Sequence, residues 1–444
     1  MGVVSQDAIS NYGSDGGYEA FSVGTTSCNL GNQPLSWQSS GVNHPVISQN
    51  LFRMKQVNGS RRFEQLGYSW LKHGFFALSQ NACCSTCNGT DGSTLGVGCS
   101  DPYTSSRNGG QSSLGPKWAV NATTGQHTHV SSPGFSGSVA RRLRVAISDL
   151  EVSNGSGDVN ATRYFVECQY IAADDAASGN KNNNASYRPL SVSGSGSAWS
   201  FTAIGSTQRE QAGIRAWKDT DPTVSEADVV TAEDGGMSAL VILAAQATDL
   251  GGGMWHYEYA VQNLNSDRGI GGFWVPVRPD AVISNIGFRD VDYHDGDGPG
   301  GVNYDGTDWP GTTGNARVSW STTDFGTNQN ANAIRWGMMY NFRFDANVAP
   351  WPGKGTVNLA YFKPGVGTEA TAQVITPDPC IRGDVNLDGF VDGLDIELFV
   401  ERLISGGSSF QELCAGDLEM TRDGIINVDD MPNFADCLLT GGCG

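Results

Sequence analysis

The sequence predicts a mainly β protein: an antiparallel β-sandwich with an irregular, disulfide-bearing N-terminal region and a small α-helical module at the C-terminus. Three observations predict it. Gly supplies 59 of 444 residues and only 16% of residues are charged, a composition of loop-rich β proteins rather than helical bundles. Several segments alternate apolar and polar residues with period two, the mark of half-buried strands. The last 65 residues instead carry an acidic repeat followed by apolar residues at helical spacing.

Taken in order, residues 1–134 are expected to be a cysteine-containing irregular region packed on the β domain. Within it, residues 62–78 (RFEQLGYSWLKHGFFAL) read either as one helix or as two strands. Cys28, Cys83, Cys84, Cys87 and Cys99 surround that stretch, with Cys168 further on. A CCxxC run can bind zinc, but no second CxxC or HxxxH set is nearby and an extracellular setting favours disulfides. The sandwich is placed at residues 135–370. Leu143, Val145 and Ile147 begin one strand; Trp255, Tyr257, Tyr259 and Val261 share a face of another, opposite His256, Glu258 and Gln262. Trp336, Met338, Tyr340, Phe342 and Phe344 repeat the pattern. Residues 371–379 read as a linker and residues 380–444 as a separate module.

That module contains two copies of one pattern, offset by 35 residues: Asp388 matches Asp423, Gly389 matches Gly424, Asp395 matches Asp430 and Phe399 matches Phe434. Calcium takes six to eight oxygen ligands, commonly from loop positions 1, 3, 5, 7, 9 and 12. In the first copy these are Asp384, Asn386, Asp388, the Phe390 carbonyl, Asp392 and Asp395, with Gly389 at the sharp turn. Read without a gap, the second copy offers Glu419, Thr421, Asp423, the Ile425 carbonyl, Asn427 and Asp430; a two-residue insertion puts Asp417 first instead. The second site is expected to be the weaker one. Two such loops, each with Asp at position 12 and a helix behind it, resemble a type I dockerin. The resemblance implies calcium binding and a cohesin-like protein partner, although Gly393-Leu394 and Val428-Asp429 stand where family members often have Ser-Thr. Cys380, Cys414, Cys437 and Cys443 are expected to staple a module too small to rely on its core. In the large domain, GTTSCNLGNQPLSW, RFEQLGYSWLKHGFF and GCSDPY resemble uncharacterised secreted proteins of planctomycete-type bacteria, a likeness that implies no activity.

The formal net charge is −19, which argues against nucleic acid and anionic membrane surfaces as partners. The tail holds thirteen acidic residues against three arginines, so the acidity is concentrated where calcium would neutralise it. No apolar run is long enough to span a membrane. The opening MGVVSQDAISNYG lacks the basic and apolar regions of a leader, and ten cysteines suggest export with the leader removed. Imidazole suits copper, zinc and iron, and six histidines offer a second metal site. The expected trio is His44, His73 and His294, each flanked by aromatic, Pro or Asp residues; His127-Thr128-His129 and His256 are the other candidates. GxSxG, HExxH and P-loop motifs are absent, which speaks against serine hydrolases, zincin proteases and nucleotide enzymes. Two functions remain: a secreted, metal-dependent enzyme acting on extracellular polysaccharide or another polymer, with copper or zinc beside calcium, and a non-catalytic carbohydrate-binding or surface-structural protein.

Overall fold

A computed structural model describes residues 1–83, 86–128, 135–153, 161–419, 423–441 and 443. The fold class is the predicted one: antiparallel β-sheets with a small helical C-terminus. Among the described residues the main strands form four stacked layers rather than a single sandwich, with Leu35–Ser36 and Thr94–Leu95 paired as a small sheet apart. In the first, Tyr18–Cys28 pairs with Gly2–Asp15, Leu143–Ala146 and Ser100–Tyr103. The second runs Ala198–Ala203, Ala185–Ser195, Arg163–Ile171, Val46–Val57, Leu71–His73 and Leu114–Gly115, with Ser60–Tyr68 also paired to Val46–Val57. The third runs Ser225–Ala232, Ser238–Gly251, Met254–Asn263, Met338–Ala346 and Ile283–Arg289. The fourth runs Gly311–Gly314, Arg317–Ser321, Ile270–Pro276, Gly355–Tyr361 and Glu369–Val374.

Three cores separate these layers. Phe21, Val23 and Val145 meet Leu51, Val166 and Phe201 between layers one and two, with Phe21 and Phe201 stacked at 4.0 Å. Tyr257, Tyr259, Phe342 and Phe344 meet Phe273, Trp320 and Leu359 between layers three and four. Phe342 and Phe344 are fully buried, each contributing about 1.5–3 kcal/mol relative to exposure. Between the two sandwiches, Phe52, Phe63 and Phe165 pack on Ile242, Ala260 and Met339, helped by Ile214 and Trp217. Strand Ser238–Gly251 is thus buried on both faces: Val241 and Leu243 enter one core, Leu240 and Ile242 the other.

This layering corrects the domain map. The expected boundary at 134/135 cuts through both sheets of the first sandwich, because strands from residues 143–203 pair with strands from residues 2–103. The break falls instead between the strands ending at Ala203 and beginning at Ser225. The first 134 residues are therefore strand-rich, and residues 62–78 contain strands, not a helix. Disulfides Cys28–Cys83 and Cys87–Cys99 take four of the cysteines that a zinc site would have used. Cys84 lies outside the described residues, and Cys168 is buried as a thiol.

The expected linker is shortened to residues 375–379, since Glu369–Val374 completes the fourth layer. Those residues are tied down: Trp351 N–H donates to the Thr376 carbonyl (2.9 Å) and Asp378 N–H to the Ala349 carbonyl (3.0 Å). The C-terminal module holds helices Asp395–Ser405, Phe410–Gly416 and Met431–Thr440. The repeat brings its matched aromatics together: Phe399 and Phe434 stack at 3.8 Å with planes 9° apart. Cys380–Cys414 and Cys437–Cys443 close the module, and Trp351 of the body packs on its core.

Candidate metal centres

His44 lies just before strand Val46–Val57, and His73 ends strand Leu71–His73, whose register sets His73 opposite Val46. Main-chain pairing of His127 with Val120 brings a third imidazole to the same place. All three are buried, and one ring nitrogen from each lies within 4.8 Å of the other two. His44 Nε2 and His73 Nδ1 are 2.8 Å apart. The His127 Nε2 is 3.1 Å from the His44 carbonyl, and Phe75 packs against the His44 ring at 4.5 Å. Room for His73 is reserved by Gly115, where a Cβ would come within 2.6 Å of His73 Nε2. Zinc or copper sits about 2.0–2.1 Å from imidazole nitrogen, so this set closes around an ion with small side-chain movements. Three imidazoles are also the protein donor set of one type of catalytic zinc site.

His294 does not join them, which corrects the expected trio. Both its ring nitrogens are spent on main-chain groups of the first sandwich: Nδ1 accepts from Arg141 N–H (3.3 Å) and Nε2 donates to the Tyr68 carbonyl (2.9 Å). Burial, with Arg144 nearby, pushes its pKa down to about 3, so it is a neutral structural histidine. His129 lies outside the described residues. His256 faces layer two and bonds Asp345 (2.6 Å) and Glu258 (3.1 Å). Sequence reasoning noticed His127 but not its partnership. The signal it lacked was the chain reversal that pairs His127 with Val120.

The first calcium-type loop is organised by its own carboxylates. Asp384 accepts from Asp388 N–H (3.0 Å) and Gly389 N–H (2.9 Å). Asp395 accepts from Asn386 N–H (3.0 Å) and Asp392 N–H (2.9 Å). Phe390 and Leu394 donate their N–H groups to Asp388 and Asp392. Asp384 and Asp395 are fully buried. Burial first, then the Asp395 charge, holds the Asp384 pKa above its usual value, the strain a cation would relieve.

The second loop repeats most of these bonds, provided Asp417 is its first position; the Asp423 N–H goes to Glu419 (3.3 Å) rather than to Asp417. Asp417 accepts from Gly424 N–H (2.9 Å), as Asp384 does from Gly389. Asp430 accepts from Glu419 N–H and Asn427 N–H (2.8 Å each), as Asp395 does from positions 3 and 9. Ile425 and Asp429 N–H groups go to Asp423 and Asn427. Gly389 and Gly424 both take left-handed backbone, φ 96° and 82°, where a side chain is strained. The gapless reading is therefore corrected: Glu419 serves as position 3 and Asp417 as position 1, with the insertion between Glu419 and Asp423. Thr421 lies outside the described residues. Asp417, Glu419 and Asp423 offer carboxylate oxygens within 4.8 Å of one another.

No family model matches the chain, and no curated protein matches it. Among solved structures, an exo-chitosanase of Amycolatopsis orientalis in complex with PNP-β-D-glucosamine is similar over 79% of this chain, at 10% identity and a TM-score of 0.13. The chain spans a quarter of the length of that protein (25%). A likeness that weak carries no argument about fold or chemistry.

Proposed function

We propose that the chain is a secreted modular protein whose β body is a metal-dependent enzyme acting on an extracellular polymer, and whose C-terminal module is folded by calcium. The observation that carries the first half is the buried convergence of His44, His73 and His127. These residues would hold zinc or copper; bound zinc supplies an activated water or a Lewis acid for hydrolysis. Polysaccharide is the favoured polymer because of the dockerin-like tail, and a cohesin-like protein is the partner that tail implies. Four disulfides support an oxidising, extracellular setting. No helix among the described residues is long and apolar enough to cross a membrane.

A second reading has its own support. His44, His73 and His127 expose only 3%, 6% and 8% of their surface, as ligands of a structural metal do. The protein would then be a non-catalytic binding or surface-structural protein. Elemental analysis of purified protein, paired with reducing-end release from a polysaccharide panel, separates the outcomes. One zinc or copper per chain, lost in His127→Ala and kept in His294→Ala, is the expected result. Metal retained without any release of reducing ends selects the second reading, whereas calcium alone sinks the histidine centre.

A further inference from the structure

Tyr68, Lys117, Trp118, Tyr304, Trp336 and Phe362 surround a cavity of about 290 Å³ at the meeting of the two sandwiches. That is the small end of the range of about 300–1,000 Å³ for ligand pockets. Tyr68 ends a strand of layer two, Trp336 precedes one of layer three and Phe362 follows one of layer four. With Phe325, six aromatic rings line it, which suits a flat ring.

Lys117 is the unusual member. It is 94% buried (6% exposed), and its ammonium lies between two rings, 4.9 Å from the Tyr68 centroid and 5.0 Å from that of Trp336. Its hydrogen bond is a long one, 3.4 Å to the Gly337 carbonyl. Asp297 and Glu167 act on it through space only. Gly337 leaves the room it occupies, since a Cβ there would come within 2.5 Å of Nζ. The neighbouring cations are already engaged. Arg268 donates to the carbonyls of Ala232, Lys363, Val366 and Gly367. Arg335 donates to Ala331 and Gln329, and Lys363 to Asp267. Asp297 accepts from Tyr68, Trp70 and the His294 N–H. Beside Lys117, the Trp118 indole Nε1 is buried with no partner among the described residues. The unused capacity that stands out around the cavity is therefore that of two buried donors, one of them cationic. A buried donor without an acceptor is destabilising, and a carboxylate offers an acceptor oxygen for each.

We propose that this cavity binds a single-ring carboxylate, its carboxylate on Lys117 and Trp118 and its ring against the aromatic walls. A uronic acid unit and a small aromatic acid share this chemistry. The inference stands apart from the histidine cluster and from the assignment of an enzymatic activity.

Calorimetric titration of the full chain with glucuronate and benzoate, each beside a neutral counterpart (glucose, benzyl alcohol), tests it. A tenfold or greater preference for either acid, lost in Lys117→Met, is expected; the acid that binds identifies the source as sugar or aromatic. Acid and neutral probes binding equally, or neither acid binding, overturns the proposal. Burial lowers the Lys117 pKa to about 8, and Asp297, raised to about 6 by burial, stays ionised above pH 7. Arg268, Arg335 and the Lys363–Asp267 pair also face the cavity, and the guanidinium groups keep their charge throughout. Affinity should fall at least fivefold between pH 7 and 9.5. Because a buried-lysine variant can fail to fold, Trp118→Phe provides a second test, with affinity for the acid three- to tenfold lower in a protein of unchanged circular dichroism. Wild-type affinity in Trp118→Phe together with a flat pH profile overturns the site.

Discussion

At residue scale, partners decide what a histidine does. His256 is half-buried between two carboxylates and His294 is buried near Arg144 and Lys117, and their pKa values move in opposite directions. For His256, burial pulls the pKa down, but bonds and charges from Glu258 and Asp345 outweigh it and hold the pKa above its usual value. The folded pKa is raised over the unfolded value of about 6.5. Its contribution to stability is therefore full below that value and is lost as pH rises through the folded pKa. Arg62 on Glu258 and Asn285 on Asp345 keep the two carboxylates in place. Urea denaturation from pH 5.5 to 8.5 should show the wild-type advantage over His256→Phe shrinking as pH climbs; a constant difference refutes it. None of this was readable beforehand. The sequence shows that His256 sits on the polar side of a strand, not that the side is covered. Likewise His44 and His73 were legible as candidates, whereas His127 needed a chain reversal and Asp417 needed an insertion to be recognised.

At element scale, period-two alternation located strands well and misjudged one surface. Tyr257, Tyr259, Phe342 and Phe344 enter the core that their pattern implies. The opposite, polar face was expected to meet solvent and instead meets layer two. Arg62 there holds Glu258 through two bonds, 2.8 and 3.1 Å, and Glu167 accepts from Asn50, Gly213 N–H and Gln262. Alternation reports polarity, and polarity does not distinguish water from a second, hydrogen-bonded sheet. Removing one partner of a buried pair leaves a charge stranded. Arg62→Met is expected to cost about 3–5 kcal/mol in chemical denaturation, with Arg62→Met/Glu258→Met recovering much of it. A single-variant cost below about 1 kcal/mol, the surface-pair range, contradicts the assignment. The short helix Phe410–Gly416 was missed although its signal is present: Ser409 and Glu412 form a capping box.

At whole-molecule scale, the sequence revealed two kinds of architecture but not the count of layers. Residues 18–28 and 46–68 gave weak patterns because their strands are buried on both faces and lie in sheets that join residues more than 100 apart, such as Phe165 with Phe52. The C-terminal module was the most legible part, because its repeat sets matched residues such as Phe399 and Phe434 at a fixed offset and the fold stacks them. If calcium folds it, EDTA should melt that module alone. Proteolysis in EDTA should then remove residues beyond 379 while the β body survives with unchanged thermal unfolding. Digestion of both parts in parallel, with or without EDTA, argues against calcium dependence.

The short connection between body and module has a hydrodynamic consequence. Pro350 pairs with Pro377, Trp351 is wedged against the module, and Arg382 lies over its ring at 5.8 Å. These contacts oppose swinging of the module. Body and module should tumble with one rotational correlation time, so anything that grips the module from outside also sets the direction in which the β body faces.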